Sequence, residues 1–197
     1  MLRDLTLLGA RVVVGAYMAG HGAQKLFGAL GGHGLEGTGQ AFEQMGLTPG
    51  REMAAVAGAT ELGSGVLIAA GLGGALGPVA AASTMAVAAG TAHRGKGAFA
   101  MTGGPELSLV DLASAAAIGA VGPGRFSLDA ALHTRVPGAL VAAAVLGSAA
   151  AAAYLICRSV EHERRQAAPQ STETDAVTAP EPADESVAAV HHFSPTG

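Results

Sequence analysis

Residues 137–157 contain no charged side chain, and nearly all are Ala, Val, Leu or Gly. A helix of about 20 such residues, rising 1.5 Å each, spans the roughly 30 Å hydrocarbon core of a bilayer. In water the same helix would expose more apolar surface than a small monomer tolerates. Three further apolar runs cover about 53–72, 75–92 and 107–121, and a fifth, less clean, covers about 5–27. Strands of a membrane barrel would alternate polar and apolar residues over about ten positions. These runs are continuous, so the expected class is an all-α membrane protein. Composition agrees: 13% of the 197 residues are charged, against about a quarter in soluble domains.

The first run carries Arg11, His21 and Lys25. As a secretory leader it would hold Arg11 inside its apolar stretch, with no convincing small-x-small cleavage site after it, so it reads as a span. Residues 28–52 form a Gly-rich loop with Pro49 near its end, and a short interfacial helix is expected at 40–45. The second run contains Glu61 near mid-depth, and a tight turn at 71–78 leads into the third. His93, Arg94 and Lys96 close that run, a loop covers 94–106, and the short fourth run holds Asp111 near its start. From Arg158 the composition changes, and 166–197 is rich in Pro, Ala, Thr and acidic residues. Such a segment buries too little to offset its ordering entropy and is expected to be disordered. The expected domains are a four-helix transmembrane bundle at 1–130, a fifth transmembrane helix within 131–158, and an acidic tail at 159–197.

In lipid, helices associate through close packing of small residues. Ala16/Gly20, Ala54/Gly58, Ala82/Ala86/Gly90 and Ala139/Ala143/Gly147/Ala151 supply small residues four apart. With five spans, Arg51, Arg94, Lys96, Arg158, Arg164 and Arg165 fall on one side and Arg3, Arg125 and Arg135 on the other. The positive-inside rule then places the tail in the cytoplasm and the N-terminus outside, in a multi-pass plasma-membrane protein.

A charge at mid-bilayer costs about 2.5–3.5 kcal/mol on insertion scales, so such groups pair or face a cavity. Arg11, Met18 and Lys25 recur every seven residues on one helix face, with His21 nearby. The expected arrangement is an inter-helix polar cluster of Arg11, His21, Lys25, Glu61 and Asp111, with Arg11 or Lys25 paired to Glu61. It reads as a structural clamp, as a site for an anionic or quinone-like ligand, or as a proton relay. The single cysteine, Cys157, excludes an intramolecular disulfide, a CxxC redox motif and a Cys-based zinc site. His21 and His93 do not share an assured depth for a haem, and His191-His192 in the tail is a weak metal candidate, so no metal site is expected. The acidic balance of −4 leaves no basic footprint for nucleic acid.

Three motifs stand in order along the chain: Arg11-x9-His21-Gly22-x2-Lys25-Leu26-Phe27-Gly28, then Glu61-Leu62-Gly63 closing with Gly71-Leu72, then Gly122-Pro123-Gly124-Arg125-Phe126-Ser127-Leu128-Asp129. Over about 5–130 the chain resembles the DoxX family of small bacterial membrane proteins. The resemblance implies a four-helix membrane bundle and an association with membrane redox chemistry. The family takes its name from a subunit linked to an archaeal quinol oxidase and thiosulfate:quinone oxidoreductase, and some actinobacterial relatives are linked to oxidative and thiol-stress complexes. On that basis, the expected function is an accessory subunit of a membrane-associated redox assembly. Its partners would be the bilayer and a soluble oxidoreductase or sulfur-transfer protein. The alternatives are a quinone-binding oxidoreductase in its own right, with quinone as the possible cofactor, and a small proton-coupled transporter.

Overall fold

Glycines at positive φ end two of the long helices. The computed structural model describes residues 1–168. Within them α1 (Leu2–Phe27) stops at Gly28 with φ 68°, and α3 (Gly50–Ala70) stops at Gly71 with φ 64°. A left-handed residue lets its amide turn back to the last carbonyls, and only glycine adopts it without a Cβ penalty. Gly71 has a second reason to be glycine: a Cβ there would lie 2.6 Å from Ser127 Cβ and collide with the Arg11 guanidinium. The remaining helices are α2 (Gly34–Gln44), α4 (Leu76–Gly90), α5 (Glu106–Val121), α6 (Leu128–Leu132) and α7 (Gly138–Ala167). With two short 3-10 turns they account for all regular structure among the described residues, so the chain is all-helical there.

Four helices close a ring: α1 packs on α3, α3 on α4, α4 on α5 and α5 back on α1. The most extensive of these contacts, α1 on α3, is antiparallel and runs backbone to backbone. A Cβ on Gly15 would lie 2.6 Å from the Gly65 carbonyl oxygen, and one on Gly22 would lie 2.5 Å from the Gly58 oxygen. Gly15 with Gly22 and Gly58 with Gly65 therefore form two matched seams, each spaced by seven residues. At the centre of the ring Met18, Ile68, Ala81, Met85, Ala115 and Ile118 make one buried cluster.

Two helices are long and apolar enough to cross a membrane by length and composition, α3 and α7. The apolar stretch of α7 is only 6% buried, with Leu146 and Tyr154 among its exposed side chains. It touches α4 along a narrow line, where Ser83 Oγ donates to the Ser148 carbonyl at 3.2 Å and Gly90 faces Ile156.

Several boundaries differ from the sequence expectation. The helix expected at 40–45 is α2, 11 residues long, which starts earlier and lies mainly on α3. The expected fifth span ends at 157, yet α7 continues through Ala167, because Glu and Arg residues propagate a helix as readily as apolar ones. Residues 166 and 167, expected in the disordered tail, are thus helical, and the rest of that tail beyond 168, with His191 and His192, lies outside the described residues. Of the four-apart small-residue pairs, Ala16 is exposed and Gly20 meets only Leu30 at 3.5 Å. On α1 the seven-residue pair Gly15 and Gly22 takes their place, whereas on α3 the expected pair Ala54/Gly58 is buried and Gly58 lies in the seam.

Gly22→Ala should lower the thermal midpoint in mild detergent, at a cost of about 1–3 kcal/mol for forced overpacking. Gly63→Ala, whose methyl would meet nothing within 4 Å, should leave the midpoint unchanged. Equal midpoints for the two variants would mean that the α1–α3 seam yields freely.

Candidate functional site

At the end of the ring holding the 71–74 turn, Arg11 is 2% exposed and faces the connection after α5. Its Nη1 donates to the Pro123 carbonyl, and its Nη2 to the Phe126 carbonyl at 2.5 Å, while Nε has no partner. The same connection grips the 71–74 turn through Asp129. Gly73 N and Gly74 N donate to the two Asp129 carboxylate oxygens at 3.1 and 2.7 Å, and Thr134 Oγ1 adds a third bond at 2.5 Å. Asp129 N donates in turn to the Gly71 carbonyl at 3.1 Å. Ser127 caps α6, its Oγ accepting from Ala130 N at 3.2 Å. Gly122 and Gly124 take φ 84° and 74°, which turn Pro123 so that its carbonyl meets Arg11. Arg125 is exposed. The string at 122–129 is therefore a clasp joining α1, the α3–α4 turn and α5.

Toward the opposite end, Lys25 Nζ lies 2.5 Å from Glu61 Oε2. The Glu61 side chain is 3% exposed and that of Lys25 26%, so this pair is largely withdrawn from its surroundings. Of the two pairings expected for Glu61, Lys25 makes it and Arg11 does not. Arg11 and Lys25 share a helix face but stand about 21 Å apart along it, and the carbonyls of the clasp take up the Arg11 guanidinium. The expected five-residue cluster is thus divided, with Arg11 in the clasp and His21, Lys25, Glu61 and Asp111 together elsewhere.

Those four side chains line one cavity of about 1030 Å³ between α1, α3, α4, α5 and α7. His21, Lys25, Glu61 and Asp111 share the lining with Thr60, Ser83, Thr84 and Ser148. Val56, Met85, Ala88, Ala151 and Leu155 supply apolar wall between them. Ala80 and His93 both line it, which makes it about 20 Å long beside α4. His93 Nδ1 is 2.7 Å from the Gly103 carbonyl and ties down the 100–104 segment, which contributes to the lining. Sequence reasoning passed over Gln24, whose Oε1 is 3.3 Å from His21 Nδ1, although the three-residue spacing puts both on one face. It also passed over the backbone amides of Gly73 and Gly74, which no side-chain pattern marks.

The described residues are all-helical, and α3 and α7 are long and apolar enough to cross a membrane. Residues 6–94 match the family model described as DoxX, a membrane-associated family, and over that stretch the chain is similar to it. The match takes in α1 to α4 and ends before the clasp string at 122–129. No curated protein and no solved structure matches the chain.

Glu61→Gln leaves a cation facing an amide in a desolvated place, and breaking a buried pair costs about 3–5 kcal/mol, less where one partner is partly exposed. Its detergent melting midpoint should fall, and adding Lys25→Gln should recover part of the loss. An unchanged midpoint in the single variant would show that the pair does not hold α1 to α3. Asp129 gives a pH signature. Burial alone would push its carboxyl up, but the bonds from Thr134, Gly74 and Gly73 outweigh burial and hold it below its ordinary value. A depressed carboxylate stabilises the fold above the unfolded pKa of about 3.9, and that contribution disappears as pH falls through the lower folded value. The wild-type clasp should therefore loosen on acidification below about pH 4, read by hydrogen exchange of residues 71–74. In Asp129→Asn the exchange should be faster at neutral pH and show no such acid step.

Proposed function

We propose that the chain is a multi-pass plasma-membrane protein that serves as an accessory subunit of a membrane-associated redox assembly and holds a quinone-type ligand for it. In this reading α1, α3, α4 and α5 are the four-helix transmembrane bundle and α7 is an additional crossing. The segments 45–49 and 91–105 and the C-terminal part of α7 face the cytoplasm, where the basic residues gather. The observation that carries the reading is the cavity of about 1030 Å³, mostly apolar, with His21, Lys25, Glu61 and Asp111 in its lining. A site of that shape suits a ring with polar oxygens attached to an apolar chain, since ligand cavities are mostly apolar with few placed polar groups. The residue inventory favours a subunit over a self-sufficient enzyme. With one cysteine and no CxxC, the chain itself offers no thiol pair to supply electrons, so a partner would supply them.

The test is gentle detergent extraction of the full chain, followed by mass spectrometry of co-purifying proteins and chromatography of the bound lipids. The expected result is a soluble oxidoreductase or sulfur-transfer protein together with a bound quinone. Ala151→Phe, which places a ring into the cavity from the α7 wall, should lower the bound quinone about tenfold without lowering the melting midpoint. A wild-type protein that emerges alone and free of quinone would overturn the proposal.

A further inference from the structure

The connection between α4 and α5 turns its largest side chains outward. Met101 is 100% exposed and Phe99 66%, and exposed Leu107, Leu109 and Val110 continue the apolar surface along α5. The pose is fixed by polar ties on the inner side: His93 Nδ1 is 2.7 Å from the Gly103 carbonyl, and Ala100 N donates to Glu106 Oε2 at 2.9 Å. The Phe99 carbonyl accepts from Thr102 N at 3.1 Å, Gly104 N at 2.9 Å and Thr102 Oγ1 at 2.9 Å, and the Ala100 carbonyl accepts from Gly103 N at 2.9 Å. Much of the backbone around the two side chains is thus satisfied within the segment, as irregular backbone close to hydrocarbon must be. Ala100, Gly103 and Gly104 line the cavity, so one side of the segment faces the cavity and the other carries Phe99 and Met101.

We propose that residues 95–104 are immersed in the cytoplasmic leaflet as a lipid-covered wall of the cavity, with Phe99 and Met101 among the upper acyl carbons and Lys96 at the phosphates. The inference rests on the multi-pass reading above and adds the depth of this connection and what covers it. The flanking helices have 15 and 16 residues, about 22–24 Å at 1.5 Å each, against a hydrocarbon core of roughly 30 Å. Their connection therefore begins where acyl chains meet headgroups. Lys96 is the only charged residue in 95–104, and Thr102 is the only other polar side chain, its hydroxyl turned back to the Phe99 carbonyl. A soluble partner would meet an apolar tip without the polar rim that protein interfaces carry. Lys96 is exposed and makes no ion pair among the described residues. Its stem runs beside Gly103, where a Cβ would lie 3.3 Å from Lys96 Cδ. A lysine stem laid along apolar surface with its ammonium in the headgroups is how that side chain occupies this depth.

The chain contains no tryptophan, so a single introduced one reports its own depth, and tryptophan is at home at the membrane interface. Three variants of the full chain, Phe99→Trp, Met101→Trp and Leu146→Trp, are reconstituted in phosphatidylcholine nanodiscs. Bromines are placed either high on the acyl chains or near their ends, and iodide is added to the water as the opposing quencher. Leu146→Trp, midway along the charge-free run of α7, should be quenched by the deep bromines, which checks the multi-pass reading by itself. Phe99→Trp and Met101→Trp should show blue-shifted emission, lose most of their fluorescence to the shallow bromines and little to iodide. Quenching of both loop variants by iodide alone, with Leu146→Trp still quenched by lipid, would place the segment in water and overturn the inference while the multi-pass reading stands. Loop tryptophans shielded from both quenchers would mean that a second copy or another protein covers the segment, which also overturns it. A Leu146→Trp signal that no lipid bromine reaches would overturn the multi-pass reading, and the inference with it.

Discussion

The backbone contact between α1 and α3 is the constraint on which the remaining geometry depends. Gly15 against Gly65 and Gly22 against Gly58 let two antiparallel helices meet with no side chain between them. That register brings Lys25 to Glu61 at one end and Arg11 to Gly71 at the other. A shift of one turn along the seam would move each charge about 5.4 Å and leave both without partners. Close approach also strengthens what it positions, because an ion pair gains as water and lipid dipoles are excluded. The glycines thus act at a distance from the chemistry, through where they set the neighbouring cations.

The two buried cations of α1 are handled differently. Lys25 has a carboxylate, whereas Arg11 makes no ion pair among the described residues and is held by backbone carbonyls at the far end of the chain. A planar guanidinium with several donors can bridge two carbonyls in a way that an ammonium cannot. The connection after α5 carries both halves of the clasp, since its carbonyls face Arg11 and Asp129 takes the amides of the 71–74 turn. The segment after α5 thus ties α1 to the α3–α4 turn across the ring.

Much of this was legible in the residues. Continuous apolar runs marked the helices because each had to be hydrophobic on all sides, and Gly28, Gly71 and Gly122 marked their ends. Glu61 and Lys25 stood out because charges in such surroundings need partners. The glycine seams were obscured by abundance: among 30 glycines, a spacing of four looks as meaningful as a spacing of seven, and only the crossing geometry distinguishes them. The partner of Arg11 was hidden for a different reason, since a backbone carbonyl has no residue type to read. The end of α7 was misplaced because composition reports where lipid stops, while the helix ends where its hydrogen bonds do.

The helices differ in length: α4 and α5 have 15 and 16 residues, and α1 and α7 have 26 and 30. At 1.5 Å per residue the short pair reaches about 22–24 Å and the long pair about 39–45 Å. In the proposed multi-pass arrangement a bilayer of ordinary thickness would meet a wall of uneven height, low along α4 and α5. Headgroups beside the low side would descend or acyl chains would shorten, at a modest elastic cost for each ångström of mismatch. Acyl-chain length would then be a variable that acts on the ring without touching any of its side chains.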